Sequence, residues 1–319
     1  MAKFNPYEHL KISLKSDGTL QRSNFMARVP ANPKPSQGEL VASKDITINT
    51  QKNLWVRIYC PTKLPANDRC VARLPIILHF HAGGWIDHSV ADVMYHEKCN
   101  QLSKDIPAIV VSPEYRLAPE HRLPAQYEDA MDTILWVNKQ VSSQEGEEWL
   151  REYADYSRFY LMGRANGANI AYNASIMAVD VDLKPLRISG MILNQPMFSG
   201  KHRTKSELKY ACDELMPLPV WDLMWELALP KGTDRDHRFS NPVKDNVAKE
   251  SKIKKIGKCL VIGYGMDPMV DRQQEFVTML VSHGARVDAH FDDIGFHGID
   301  IVDSKRRSYN FQLIKDFVN

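Results

Sequence analysis

Four short segments carry the residue types that acyl-transfer or proton-transfer chemistry uses. In Leu161-Met162-Gly163-Arg164-Ala165-Asn166-Gly167-Ala168-Asn169, two glycines stand two places either side of Ala165. That spacing lets a strand turn sharply into a helix and push the central side chain into the open, as in the nucleophile elbow G-x-S-x-G. Ala165 occupies the nucleophile position, but it has no hydroxyl and cannot form an acyl-enzyme. Earlier in the chain, a strand-like run ending at Phe80 leads into His81-Ala82-Gly83-Gly84-Trp85. Glycines there bring backbone N–H groups close to a substrate oxygen, so Gly83 and Gly84 are candidate oxyanion donors.

The other two segments supply an acid and a base. Asp267, in Gly263-Tyr264-Gly265-Met266-Asp267-Pro268-Met269-Val270-Asp271-Arg272, is placed to orient an imidazole, with Asp271 as a rival. His297, in Asp293-Ile294-Gly295-Phe296-His297-Gly298-Ile299, is the imidazole. Taken singly, each segment has a plain structural explanation: a tight turn, a helix cap or a loop histidine. Their order makes the case, because oxyanion loop, elbow, acid and base follow one another, each after a strand-like run.

Those runs are Leu54–Tyr59, Pro75–Phe80, Ala108–Val111, Phe159–Met162, Gly190–Leu193, Cys259–Ile262 and Val287–Phe291. From the second onward, segments long enough for helices separate them, among them Tyr127–Val141, Ala168–Val179 and Arg272–His283. Strands alternating with helices predict an α/β fold with a mostly parallel central sheet covered on both faces. Two regions break the rhythm, the polar stretch up to about Gly38 and the apolar, Trp-containing stretch Leu215–Leu229. A small helical cap over the carboxyl ends of the strands, built from about residues 1–38 and 205–230 of a single domain, is the expectation.

The bulk composition narrows the function. The chain has 319 residues, and its 41 Lys and Arg against 39 Asp and Glu give a formal charge of +2. That balance, and a Lys252, Lys254, Lys255 cluster no larger than a solvated helix end, argue against a nucleic-acid partner. Five cysteines without a CxxC pair suggest reduced thiols. No run approaches a membrane span and no apolar leader precedes Pro6, which predicts a soluble, cytoplasmic protein. The histidines lack metal-site spacing and no phosphate-cradling glycine motif occurs, so neither metal nor cofactor is expected. Asn173-Ala174-Ser175 fits a glycosylation acceptor but falls in a helical pattern.

With these residues in view, the chain resembles the plant carboxylesterases of the hormone-sensitive-lipase-like group of α/β hydrolases. Glu114-Tyr115-Arg116-Leu117-Ala118-Pro119-Glu120-His121-Arg122-Leu123-Pro124-Ala125 is close to that family's YRLAPEHRLPAA segment, and the likeness runs from about Pro6 to the C-terminus. The resemblance implies the α/β-hydrolase fold, with Asp267 as acid, His297 as base, and the N–H groups of Gly83, Gly84 and Asn166 as oxyanion donors. Tyr115 to Pro124 would be structural support. Departures are local: Ala82 replaces a loop glycine, Arg164 an acidic or small residue, Asn166 a small residue and Ala165 the serine.

Only the last departure removes chemistry outright, since loss of a triad nucleophile typically costs about five to six decades of turnover. Three readings follow. The first is an esterase for a small apolar ester, such as a plant specialised metabolite, whose serine has been replaced, for instance to trap substrate. The second is a non-hydrolytic enzyme that eliminates, isomerises or cyclises with the His297–Asp267 pair as base. The third is a small-molecule receptor of the same fold. Trp85, Trp221 and Trp225 are expected to line an apolar substrate pocket, and the oligomeric state is open.

Overall fold

The computed structural model describes residues 4–23, 26–64, 73–244 and 246–319. Cys70 and the first three residues, which enter the composition argument, lie outside that set.

In chain order the strands are β1 (Ile12–Leu14), β2 (Leu20–Arg22), β3 (Val41–Asn49), β4 (Leu54–Pro61), β5 (Leu74–Phe80), β6 (Ile109–Pro113), β7 (Ala154–Arg164), β8 (Ile188–Asn194), β9 (Lys258–Tyr264) and β10 (Val287–Asp292). The helices are α1 (Pro6–His9), α2 (Val93–Asp105), α3 (Ala125–Ser142), α4 (Glu148–Tyr153), α5 (Asn166–Ala178), α6 (Lys205–Lys209), α7 (Leu218–Ala228), α8 (Asn246–Ile253), α9 (Val270–Ser282), α10 (Ile299–Val302) and α11 (Ser304–Val318). Eight strands form one sheet in the order β10-β9-β8-β7-β5-β6-β4-β3. The five pairings from β10 through β6 are parallel, and β4 and β3 add antiparallel at one edge.

A period of two explains why this sheet is buried on both faces. Ile76, Leu78, Leu161, Met191, Leu193 and Val261 point into one core, which α3, α5 and α9 cover with Ile134, Ile170 and Phe276. Their neighbours Ile77, Tyr160, Met162, Ile192, Leu260 and Ile262 point into the other, closed by Leu102 of α2 and Ile314 and Phe317 of α11. Burying such a side chain contributes about 1.5–3 kcal/mol. The seven expected strands are all present. Sequence patterning did not find the edge strand β3, whose Ser43-Lys44-Asp45 segment is polar, or the β1–β2 hairpin within the polar N-terminal stretch.

The two irregular regions meet above the strand ends. α1 packs on α7, and the His9 Nε2 lies 2.9 Å from the Leu215 carbonyl. The hairpin is tied down by Arg22, which pairs with Glu120 at 2.7 Å and donates to the Ala118 carbonyl at 2.9 Å.

Candidate functional site

The elbow forms where β7 turns into α5. Ala165 takes φ +50° and ψ −119°, a left-handed conformation that an L residue adopts only when its surroundings impose it. They do so here: the Ala165 N–H donates to the Asn194 carbonyl at 3.1 Å, and its carbonyl accepts from Met197 N–H at 3.0 Å. The flanking glycines allow the helix to approach the sheet. A Cβ on Gly163 would fall 2.1 Å from the Gly167 backbone, and one on Gly167 would fall 2.3 Å from the Phe80 carbonyl.

Asp267 and His297 come together from the loops after β9 and β10. The imidazole Nδ1 lies 2.8 Å from Asp267 Oδ2, which leaves Nε2 as the ring atom able to exchange a proton. Asp267 is fully buried and further held by Gln195 Nε2 and Gln273 Nε2, each at 2.9 Å, and by Met269 N–H at 2.9 Å. Burial alone would raise its pKa, but the charge and hydrogen bond of His297, with the Met269 and Gln273 donors, hold it below the usual value. Gln195 also brackets the histidine, donating to the Phe296 carbonyl at 3.2 Å and accepting from Gly298 N–H at 2.9 Å. Asp271 lies elsewhere, accepting from Ser206 N–H at 2.8 Å.

The oxyanion loop is in place but not free. Gly84 N–H donates to the side-chain oxygen of Asn166 at 2.8 Å. Because a backbone N–H can only donate, the amide's other end must face Tyr115, and Asn166 Nδ2 donates to its hydroxyl at 3.1 Å. Tyr115 OH in turn donates to the His81 carbonyl at 2.9 Å and stacks on the His81 ring, with centroids 4.2 Å apart. Burial pushes His81 down to about 3, so this ring is neutral at physiological pH. The buried Asn166 carboxamide therefore occupies one of the donors that an oxyanion would use. The N–H groups of Gly83 and of Asn166, the first residue of α5, have no hydrogen-bond acceptor among the described residues.

A cavity of about 540 Å³ joins these pieces, bordered by Gly83, Gly84, Ala165 and His297. Leu10, Ile12, Met197, Met216, Trp221 and Met224 give it an apolar wall with adaptable thioethers. Trp221 meets the His297 ring edge to face at 4.7 Å. The expectation for the other two tryptophans is corrected: Trp85 and Trp225 are fully buried against each other, with centroids 4.5 Å apart, and do not border this cavity. These two large apolar rings, one from the loop after β5 and one from α7, pack on each other rather than line the ligand pocket.

This geometry is that of a known family. A model described as alpha/beta hydrolase fold matches residues 77–301. A protein from Arabidopsis thaliana named probable carboxylesterase 9 is 51% identical, over 99% of this chain and 98% of its own. The chain belongs to the plant carboxylesterase family of α/β hydrolases. A 3-O-acetylpapaveroxine carboxylesterase from Papaver somniferum is 40% identical over 98% of this carboxylesterase-family chain and 99% of its own. A hyperthermophilic esterase from the archaeon Pyrobaculum calidifontis has the same fold, with a TM-score of 0.71 at 24% identity over 87% of this chain and 84% of that one.

Within that family frame, Gln195 and Gln273 are the site residues that motif reading passed over. An isolated glutamine after a strand, or one inside a helical pattern, carries no local signal. The YRLAPE-like segment gives support as expected, through Arg116 on Asp129 at 3.0 Å, and Tyr115 extends that support to Asn166. Asn173 is buried in α5 and donates to the Asn169 carbonyl at 2.9 Å. Among the described residues no helix is long and apolar enough to cross a membrane, and no group of three metal-ligating side chains occurs.

Proposed function

We propose that this carboxylesterase-family chain is a proton-transfer enzyme acting on a small apolar metabolite, without an acyl-enzyme. His297 Nε2 takes the proton, Asp267 orients the ring and stabilises the imidazolium, and the cavity under Trp221 and Met224 holds the ligand. The single observation that carries this reading is the 2.8 Å bond from Gly84 N–H to Asn166. Replacing serine alone would leave the oxyanion donors open. Here the nucleophile is absent and one donor is occupied, while the base and its carboxylate keep every supporting hydrogen bond.

Proton removal next to an activating group starts an elimination, an isomerisation or a cyclisation, and none of these needs a hydroxyl at residue 165. Residues 1–38 and 205–230 would act as the cap that excludes water. Thiols free of disulfides at Cys60, Cys99 and Cys259 fit a cytoplasmic setting. The test is substitution: His297→Gln should abolish conversion of a substrate found by screening apolar plant metabolites, and Asp267→Asn should lower it by about three to four decades. Full turnover by His297→Gln would overturn the reading.

A second reading, an esterase whose serine has been replaced by alanine, is favoured by the left-handed φ of +50° at Ala165. That conformation costs about 1–3 kcal/mol, and it serves to project a nucleophile.

A further inference from the structure

Arg164 borders two cavities at once. The first is the cavity described above; the second, of about 280 Å³, lies behind the oxyanion loop and shares Ala82, Met94, Tyr95, Arg164 and Ile301 with it. Lys98 and Asp300 also line the second cavity. Its cations are poorly matched by protein acceptors. Arg164 Nη1 stands 3.7 Å from Asp300 Oδ1, and Lys98 Nζ stands 3.8 Å from Asp300 Oδ2, both too long for hydrogen bonds. Arg164 Nε is buried without a hydrogen-bond partner among the described residues. Asp300 Oδ2 is already engaged by Asn194 Nδ2 at 3.0 Å. Asp300 Oδ1 is likewise buried without a hydrogen-bond partner among the described residues, so Arg164, Lys98 and Asp300 stand close together without closing hydrogen bonds between their charged groups, while Arg307, which also lines the cavity, is engaged by the Asp300 and Ile301 carbonyls.

The guanidinium lies against the loop that carries the base: Gly298, next to His297, has φ +85°, which favours glycine, and a Cβ there would fall 2.3 Å from Arg164 Nη2. Buried donors without acceptors are costly, the more so when charged, which is a reason to expect an acceptor from outside the chain.

We infer that Arg164 and Lys98 form a subsite for a carboxylate borne by the ligand of the main cavity, so that the substrate is an apolar body with an anionic end. A carboxylate offers two coplanar oxygens to the guanidinium fork, and an ammonium alongside completes the charge match. This inference rests on the main cavity being the ligand site, and it adds the substrate class to the proton-transfer reading.

Isothermal titration with the probes naphthoate and naphthamide tests it. Naphthoate is expected to bind the wild-type protein about tenfold or more tightly than the neutral amide, as charged hydrogen bonds imply. Arg164→Gln should bring that ratio to about one, and Lys98→Gln should lower it if the first variant does not fold. Equal binding of the two probes, a ratio unchanged in both variants, or no naphthoate binding at millimolar concentration would each overturn the subsite. Binding of the amide without carboxylate preference would overturn it while leaving proton transfer by His297 standing.

Discussion

The side chain of Asn166 accepts a hydrogen bond from the Gly84 backbone at 2.8 Å, across 82 residues of sequence. The residue that follows the nucleophile position thereby takes hold of the loop that would otherwise stabilise an oxyanion. Loss of serine and capture of the donor point in the same direction, away from tetrahedral intermediates.

Restoring the hydroxyl alone should therefore restore little. Ala165→Ser is expected to hydrolyse p-nitrophenyl acetate weakly, and adding Asn166→Ala should raise the rate by about two to three decades, the worth of one oxyanion donor. Initial rates of the two variants decide. Equal activity in both would mean that the Asn166 amide does not obstruct the site, and a fully active single variant would favour the esterase whose serine was replaced.

The Gln195 amide is the second prediction. It touches Asp267 and both neighbours of His297, so Gln195→Leu should leave the carboxylate under-bonded and the loop loose. A loss of about 1–3 kcal/mol in denaturant unfolding is expected, together with a fall in turnover larger than the change in KM. Unaltered turnover would show that the dyad is positioned without it.

How much of this was legible in the sequence depends on the range of the signal. Strands such as Ile76–Phe80 and the glycine-flanked turn at Ala165 announce themselves within a few residues, and the order of the four segments gave the fold. Contacts between distant positions did not. The motif place of Asn166 marks it as a backbone donor, whereas its side chain's partners come from the oxyanion loop after β5 and the segment at Tyr115. Trp85 and Trp225 were expected at the ligand because aromatic composition cannot tell a cavity wall from a buried pair of tilted indoles. Arg164 was noted only as an unusual neighbour of Ala165, and its pairing with Asp300 depends on a short helix more than a hundred residues later.

Acid titration supplies the third prediction. Burial works to raise the Asp300 pKa, but Arg164 and Lys98, with Asn194, outweigh it and bring it down to about 2. A depressed carboxylate pKa stabilises the fold above its unfolded value and loses that contribution as pH falls through the folded value. Asp300→Asn should thus be less stable than wild type by about 2 kcal/mol at neutral pH, and the gap should close between pH about 4 and about 2. A gap that persists at the acid end would assign the effect to packing rather than to charge.

The most direct measurement of proton transfer is the fate of oxygen. An aryl-substituted β-acetoxy ketone offers the protein two routes to acetate: removal of the C–H proton with departure of acetate, or attack on the acetyl carbonyl by water. Run in heavy-oxygen water, the first route releases acetate with both original oxygens and leaves an unsaturated ketone, and this is the predicted result. Acetate carrying solvent oxygen, with the hydroxy ketone as its partner, would mean hydrolysis and would contradict the account.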